Sequence, residues 1–161
     1  MKRILKFVAA ILALVGVVMM FFTQVTVKMI ASGAKENIGI SAIAGNGTYK
    51  IFGTDYTSVA TGLAGYIMLG VGALIILVVA LVPVFKNHGI LSAVVTGFAV
   101  IILIIATFFM FFLRKNFVNQ PGNGMESVNV LVGWGAIAAG SLGSLAAATG
   151  ALSVVLDIAE D

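Results

Sequence analysis

The chain contains no cysteine, which excludes disulfides, thiolate metal sites and a cysteine nucleophile and leaves the redox compartment unreadable. Charge is scarce as well: Asp, Glu, Lys and Arg make up 9% of the 161 residues, against roughly 25% in an ordinary soluble domain. A soluble fold of this length could not hide a composition that is 61% hydrophobic, whereas lipid solvates it directly. The net charge of +3 rests on nine basic and six acidic side chains, and the basic ones form no long patch. The calculated pI near 9.4 is therefore no sign of nucleic acid. There is no Walker loop, no HExxH and no GxSxG elbow, and Gly70-Val71-Gly72 is only a fragment of a nucleotide motif inside an apolar run. His88 is the sole histidine, with no carboxylate near it in sequence, and nothing pairs Glu36, Asp55 or Glu126. So thin an inventory argues against an enzyme, and neither a cofactor nor a metal is expected.

What the sequence has in quantity is long apolar runs. They extend from Phe7 to Val27, from about Val59 to Phe85, from Ile90 to Leu113 and from about Val128 to Leu156, and none contains Asp, Glu, Lys, Arg or His. A helix crossing about 30 Å of hydrocarbon needs roughly 20 such residues. The runs predict one all-α domain over residues 1–161, a bundle of four membrane-spanning helices in a cell membrane. The start imitates a secretory signal, with Met1-Lys2-Arg3 before the run and Ser32-Gly33-Ala34 after it. The run is too long for a signal core, so an uncleaved first span is expected.

With four spans, Lys2, Arg3, Lys6 and Lys86 fall on one side, and Lys28, Lys35, Lys50, Arg114 and Lys115 on the other. The count is nearly balanced. The first helix usually dominates orientation, and its flank is the dense one, so both termini are assigned to the cytoplasm; Arg114-Lys115 argue the other way. The short Lys86-Asn87-His88-Gly89 turn makes spans two and three an antiparallel pair. Loop residues 31–58 read as a β-hairpin: Ile38, Ile40 and Ala42 alternate with Gly39 and Ser41, Asn46-Gly47 suits a type I′ turn, and Thr48 to Phe52 would form the return strand. In loop residues 114–127, Asn119-Gln120-Pro121-Gly122-Asn123-Gly124 reads as tight turns, and Phe117-Val118 as a short strand beside the hairpin. A small extracellular β-hairpin cap over the bundle follows.

That order of parts resembles the claudin-like tetraspan plan: a span, a β-rich outer loop, a helical hairpin with a short inner turn, a second outer loop and a last span. The resemblance is one of topology over nearly the whole chain. The family's first-loop signature, a Trp followed by Gly-Leu-Trp and two cysteines, has no counterpart, since the only tryptophan is Trp134 in the fourth run. No adhesive or barrier role and no functional residue follows from plan alone.

Candidate functional residues are few. In the fourth run Gly135, Ala139, Gly143, Ala147 and Ala151 form a stripe at four-residue spacing, with Ala136, Gly140, Ser144 and Ala148 as a second stripe beside it. Small residues let helix backbones approach in lipid, so the stripes seat the helix in its own bundle, make a subunit interface, or both. Gly62, Gly65, Tyr66, Gly70 and Gly72, and Ala93 with Gly97, read as internal packing. Thr and Ser hydroxyls in the runs can bond their own helix. Gln24 cannot, and either lines an outer vestibule or sits at headgroup depth. The large side chains near Met19–Phe22 and Phe108–Phe112 read as core and lipid-facing bulk, or as an apolar groove for a lipid or partner helix. Lys2, Arg3 and Lys6 emerge on the same side as Asp157, Glu160 and Asp161, so pairing between the ends is expected, at up to about 1 kcal/mol if exposed. These residues point to a non-enzymatic membrane protein that associates with itself or with other membrane proteins, as a homo-oligomer or lateral partner. A passive oligomeric pore and an accessory subunit of a larger complex are the alternatives.

Overall fold

The computed structural model describes residues 2–44, 47–86, 88–120, 123 and 128–159. Its elements are α1 (Lys2–Val18), β1 (Val25–Met29), β2 (Lys35–Ile38), β3 (Thr48–Ile51), β4 (Thr54–Thr57), α2 (Ala60–Leu81), α3 (Pro83–Lys86), α4 (Gly89–Phe111), α5 (Leu113–Val118), β5 (Val128–Val132) and α6 (Trp134–Ala159). Four helices are long and apolar enough to cross a membrane: α1 with the 3-10 turn that extends it to Phe21, then α2, α4 and α6. They pack as a ring in which α1 touches α2, α2 touches α4, α4 touches α6 and α6 touches α1. The packing faces are lined by small residues. On α1, Ala9, Ala10, Ala13 and Gly16 are buried at helical spacing, while Ile4, Ile11 and Val18 point outward. Leu69, Ile76, Leu103 and Met110 fill the space between the helices.

Both ends of the ring's outermost helices, Lys2 of α1 and Ala159 of α6, lie at one end, because Lys6 and Asp157 are bonded there. The strands lie at the other. Antiparallel β2-β1-β5 form one sheet, and β3-β4 form a separate hairpin. The cap is therefore larger than a single hairpin, and its sheet begins inside two of the apolar runs. Helix α1 gives way to a 3-10 turn at Met19–Phe21, and Val25 to Met29 are strand; Val128 to Val132 are strand, not the start of the last helix. The reason is alternation. Val25, Val27, Val128 and Val130 turn inward while Thr26, Asn129 and Leu131 do not, a period of two that a sheet buries and a helix cannot. The β-branched residues favour the same outcome.

The other boundaries move for equally local reasons. Helix α2 stops at Leu81 because Pro83 offers no N–H, and α3 is a separate turn beyond Val82. The third helix ends at Phe111, and Leu113 to Val118 form α5, so Phe117-Val118 is helix rather than strand and Arg114-Lys115 lie on it. The hairpin of the described residues joins β3 to β4 through Phe52-Gly53, and the Asn46 of the expected turn lies outside the described residues. Ile51 faces Thr54, and Phe52 and Gly53 have φ of 49° and 81°, the positive values a type I′ turn requires at both centres. Phe52 accepts that backbone because its ring packs on the core and its N–H donates to Glu36 Oε2 at 3.2 Å. Gly47 instead leads into β3, exchanging bonds with Ser58. Ile40–Ala42, expected in a strand, form a 3-10 turn. Asn46, Asn87, Pro121, Gly122, Gly124, Glu126, Glu160 and Asp161 lie outside the described residues.

Candidate functional site

Three places gather polar or small residues. The first is at the termini end. Lys6 Nζ donates to Asp157 Oδ2 at 2.6 Å and to Ser92 Oγ at 2.7 Å, and Ser92 Oγ donates to the same carboxylate oxygen at 2.9 Å. Lys6, Ser92 and Asp157 are 4%, 1% and 1% exposed, so the pair is buried and the ceiling for an exposed pair does not apply to it. Each charge stands at the unfavourable end of its own helix dipole, Lys6 near the start of α1 and Asp157 near the end of α6, and the bond between them offsets both. Lys2 Nζ lies 3.9 Å from Asp157 Oδ1. Arg3 goes elsewhere: its Nε donates to Ala80 O at 2.7 Å, a carbonyl left over where Pro83 breaks the helix. One turn from Ser92, Thr96 is fully buried and its Oγ1 is without a partner among the described residues.

The second place is where the helices meet the sheet. Gln24 is fully buried, so it lines no vestibule. Its Nε2 donates to Met19 O at 2.8 Å and Phe22 O at 3.0 Å, and its Oε1 accepts from Tyr66 Oη at 2.7 Å. Its backbone N–H donates to Ile38 O, and its carbonyl accepts from Gly133. One residue thus ties α1, β2, α2 and the β5–α6 corner together. Gly133 and Gly135 make room for it: a Cβ on Gly133 would stand 2.3 Å from Thr23 O, and one on Gly135 would stand 2.8 Å from the same oxygen. Phe22 and Trp134 pack with centroids 4.5 Å apart on the outside of this junction.

In the cap above, Asn123 does what a strand would: Oδ1 accepts from Thr57 N at 2.6 Å, while Nδ2 donates to Thr57 O and Phe117 O at 3.2 and 2.8 Å. Arg114 Nε donates to Val130 O at 2.7 Å. Tyr56 stacks on Phe117, and burial pushes its phenol above the ordinary value.

The third place is the flank between α4 and α6. Gly135, Ala139, Gly143 and Ala147 are buried, with Gly143 against Thr107 and Leu69, while Ala151 is exposed. In the neighbouring stripe Ala136 and Gly140 are buried, Gly140 against the Phe111 ring, but Ser144 and Ala148 are exposed. There they line an open groove of about 490 Å³ with Val100, Ile104, Phe108 and Phe111. Ser144 and Thr107 return their hydroxyl protons to Gly140 O and Leu103 O of their own helices, so the groove offers no unused donor from either. Gly62, Gly65 and Gly72 pack closely on Ile43, Met110 and Leu103, whereas a Cβ added at Gly97, expected to pack, would meet nothing within 4 Å.

Sequence reasoning missed Ser92, Asn123, Gly133 and the alanine face of α1. The α1 face is visible as Ala9, Ala10, Ala13 and Gly16 at helical spacing; Ser92 gives no signal because Asp157 is remote in sequence, and Asn123 reads only as a turn residue because Thr57 lies 66 residues away. Among the described residues, no group of three or more His, Cys, Asp or Glu could hold a metal. No protein-family model, curated protein or solved structure matches the chain.

Proposed function

We propose that this chain crosses a cell membrane four times, with both termini in the cytoplasm and the β-layer outside, and acts there by lateral assembly rather than catalysis. The partner is a second copy of the chain or another membrane protein. The observation that carries the reading is the course of the second small-residue stripe, which is buried at Ala136 and Gly140 and emerges at Ser144 and Ala148 into the α4–α6 groove. Large aromatic side chains form one wall and near-bare backbone the other, a shape suited to a helix from a neighbour. The polar groups beside it are already bonded within their helices, so association would rest on packing. A pore through a single chain has no comparable support, because Leu69, Ile76 and Leu103 occupy the interior.

The absence of cysteine makes the test clean. Ala148→Cys in the groove should give a disulfide-linked dimer on oxidation in native membranes, and Leu74→Cys, exposed on α2, should not. A cross-linked species of another mass would assign the groove to a different membrane protein. Equal cross-linking at both positions, or none at either, would overturn assembly through this groove.

A further inference from the structure

At the termini end a cavity of about 260 Å³ opens between α1 and the α2–α3 break. Lys2, Arg3 and Lys6 reach it from α1, Asp157 from α6, and Val79, Val82 and Phe85 supply its apolar wall. Among the described residues that line it, Lys2, Arg3 and Lys6 are cationic and Asp157 is a carboxylate. That carboxylate is committed: Asp157 Oδ2 accepts from both Lys6 and Ser92 deep in the bundle. Arg3 is held differently. Its Nε is anchored to Ala80 O, and Phe7 lies beneath it with the ring centroid 5.9 Å from Cζ. The guanidinium is thereby oriented at the exposed rim, and among the described residues its two terminal nitrogens have no partner. A planar fork with two free nitrogens suits two oxygens of one phosphate.

We propose that this cleft binds the phosphate of an anionic phospholipid, with Arg3 as the principal contact and the first carbons of an acyl chain against Val82 and Phe85. Basic pockets between helices on the cytoplasmic side are a recurrent form of anionic-lipid site. A zwitterionic lipid has the same phosphate but adds a cation, which the Arg3 guanidinium at the rim disfavours. The buried Lys6–Asp157 pair sets the depth: with Lys6 satisfied from within, the ligand stays at the rim. The inference rests on the membrane-spanning reading and not on assembly, so a monomeric chain that binds the lipid upholds it.

Native mass spectrometry of the full chain released from detergent is the test, with phosphatidylglycerol, phosphatidylcholine and inorganic phosphate as separate probes. The wild type should retain one phosphatidylglycerol and no phosphatidylcholine at the same concentration. Arg3→Gln should weaken retention roughly tenfold, about the loss of one charge-assisted contact. Lys28→Gln, which removes a cation at the opposite end, should leave it unchanged. Equal retention of the two lipids, full retention in Arg3→Gln, or an equal loss in Lys28→Gln would overturn the proposal. Displacement of the lipid by millimolar phosphate would assign the cleft to a soluble anion and overturn it too. A chain that dispersed without detergent would instead sink the membrane reading beneath it.

Discussion

Gln24 and the Lys6–Asp157 pair place bonded polar chemistry at the two ends of a largely apolar bundle. Gln24→Leu would leave the Tyr66 hydroxyl and the carbonyls of Met19 and Phe22 without their bonds. It should cost about 1–3 kcal/mol for the buried hydroxyl alone, read as a lower unfolding midpoint in detergent. Asp157→Leu strands a buried ammonium and should cost about 3–5 kcal/mol, whereas Lys6→Met with Asp157→Leu should recover most of it, since a buried pair is weak support once desolvation is counted. A double variant as damaged as the single one would contradict this. Thr96→Val removes a buried hydroxyl without a partner among the described residues and should stabilise the fold by about 1 kcal/mol, read as a higher midpoint. The sequence marks Gln24 as wanting an external partner, which holds for its Oε1, whereas its Nε2 turns back to Met19 O and Phe22 O of its own segment. It does not reveal Tyr66, which lies 42 residues away. Likewise the opposite charges at the two ends are legible as a pair, but their burial is not, because Ser92 joins them from a third helix.

Among the elements, glycine separates close approach to backbone from close approach to a movable side chain. A Cβ at Gly133 meets the Thr23 carbonyl and the Gln24 backbone, which cannot give way; one at Gly65 meets the end of Met110, which can. Gly133→Ala should therefore abolish or severely reduce the folded yield, while Gly65→Ala should shift the melting temperature only modestly. Gly97→Ala faces open space and should stabilise α4 by about 0.5–1 kcal/mol through backbone entropy. The existence of the four long helices is legible because each run is continuous and uncharged. Their ends are less so. Val25-Thr26-Val27 and Val128-Asn129-Val130 carry a two-residue alternation, but they adjoin apolar helices without any charge or proline between, so hydrophobicity alone extends the helices through them. The hairpin position is hidden from the sequence for a different reason. Asn46-Gly47 fits a type I′ turn by residue type, while Phe52-Gly53 is chosen by the packing of the Phe52 ring and the Glu36 carboxylate, neither of which local sequence displays.

At the scale of the whole molecule, an even number of long apolar helices puts both ends of the described chain at one end of the bundle and the strands at the other. Small residues bring the helices together around a few buried large ones such as Leu69, Ile76 and Leu103, while many other large apolar side chains face out, an arrangement lipid permits. Single cysteines introduced into the cysteine-free chain test this most directly. Ala31→Cys lies exposed between β1 and β2, and His88→Cys lies exposed in the turn before α4. In intact cells a membrane-impermeant maleimide should label Ala31→Cys at once and His88→Cys only after permeabilisation. Labelling of both positions from the same side of an intact membrane, or recovery of the chain in the soluble fraction, would contradict the account.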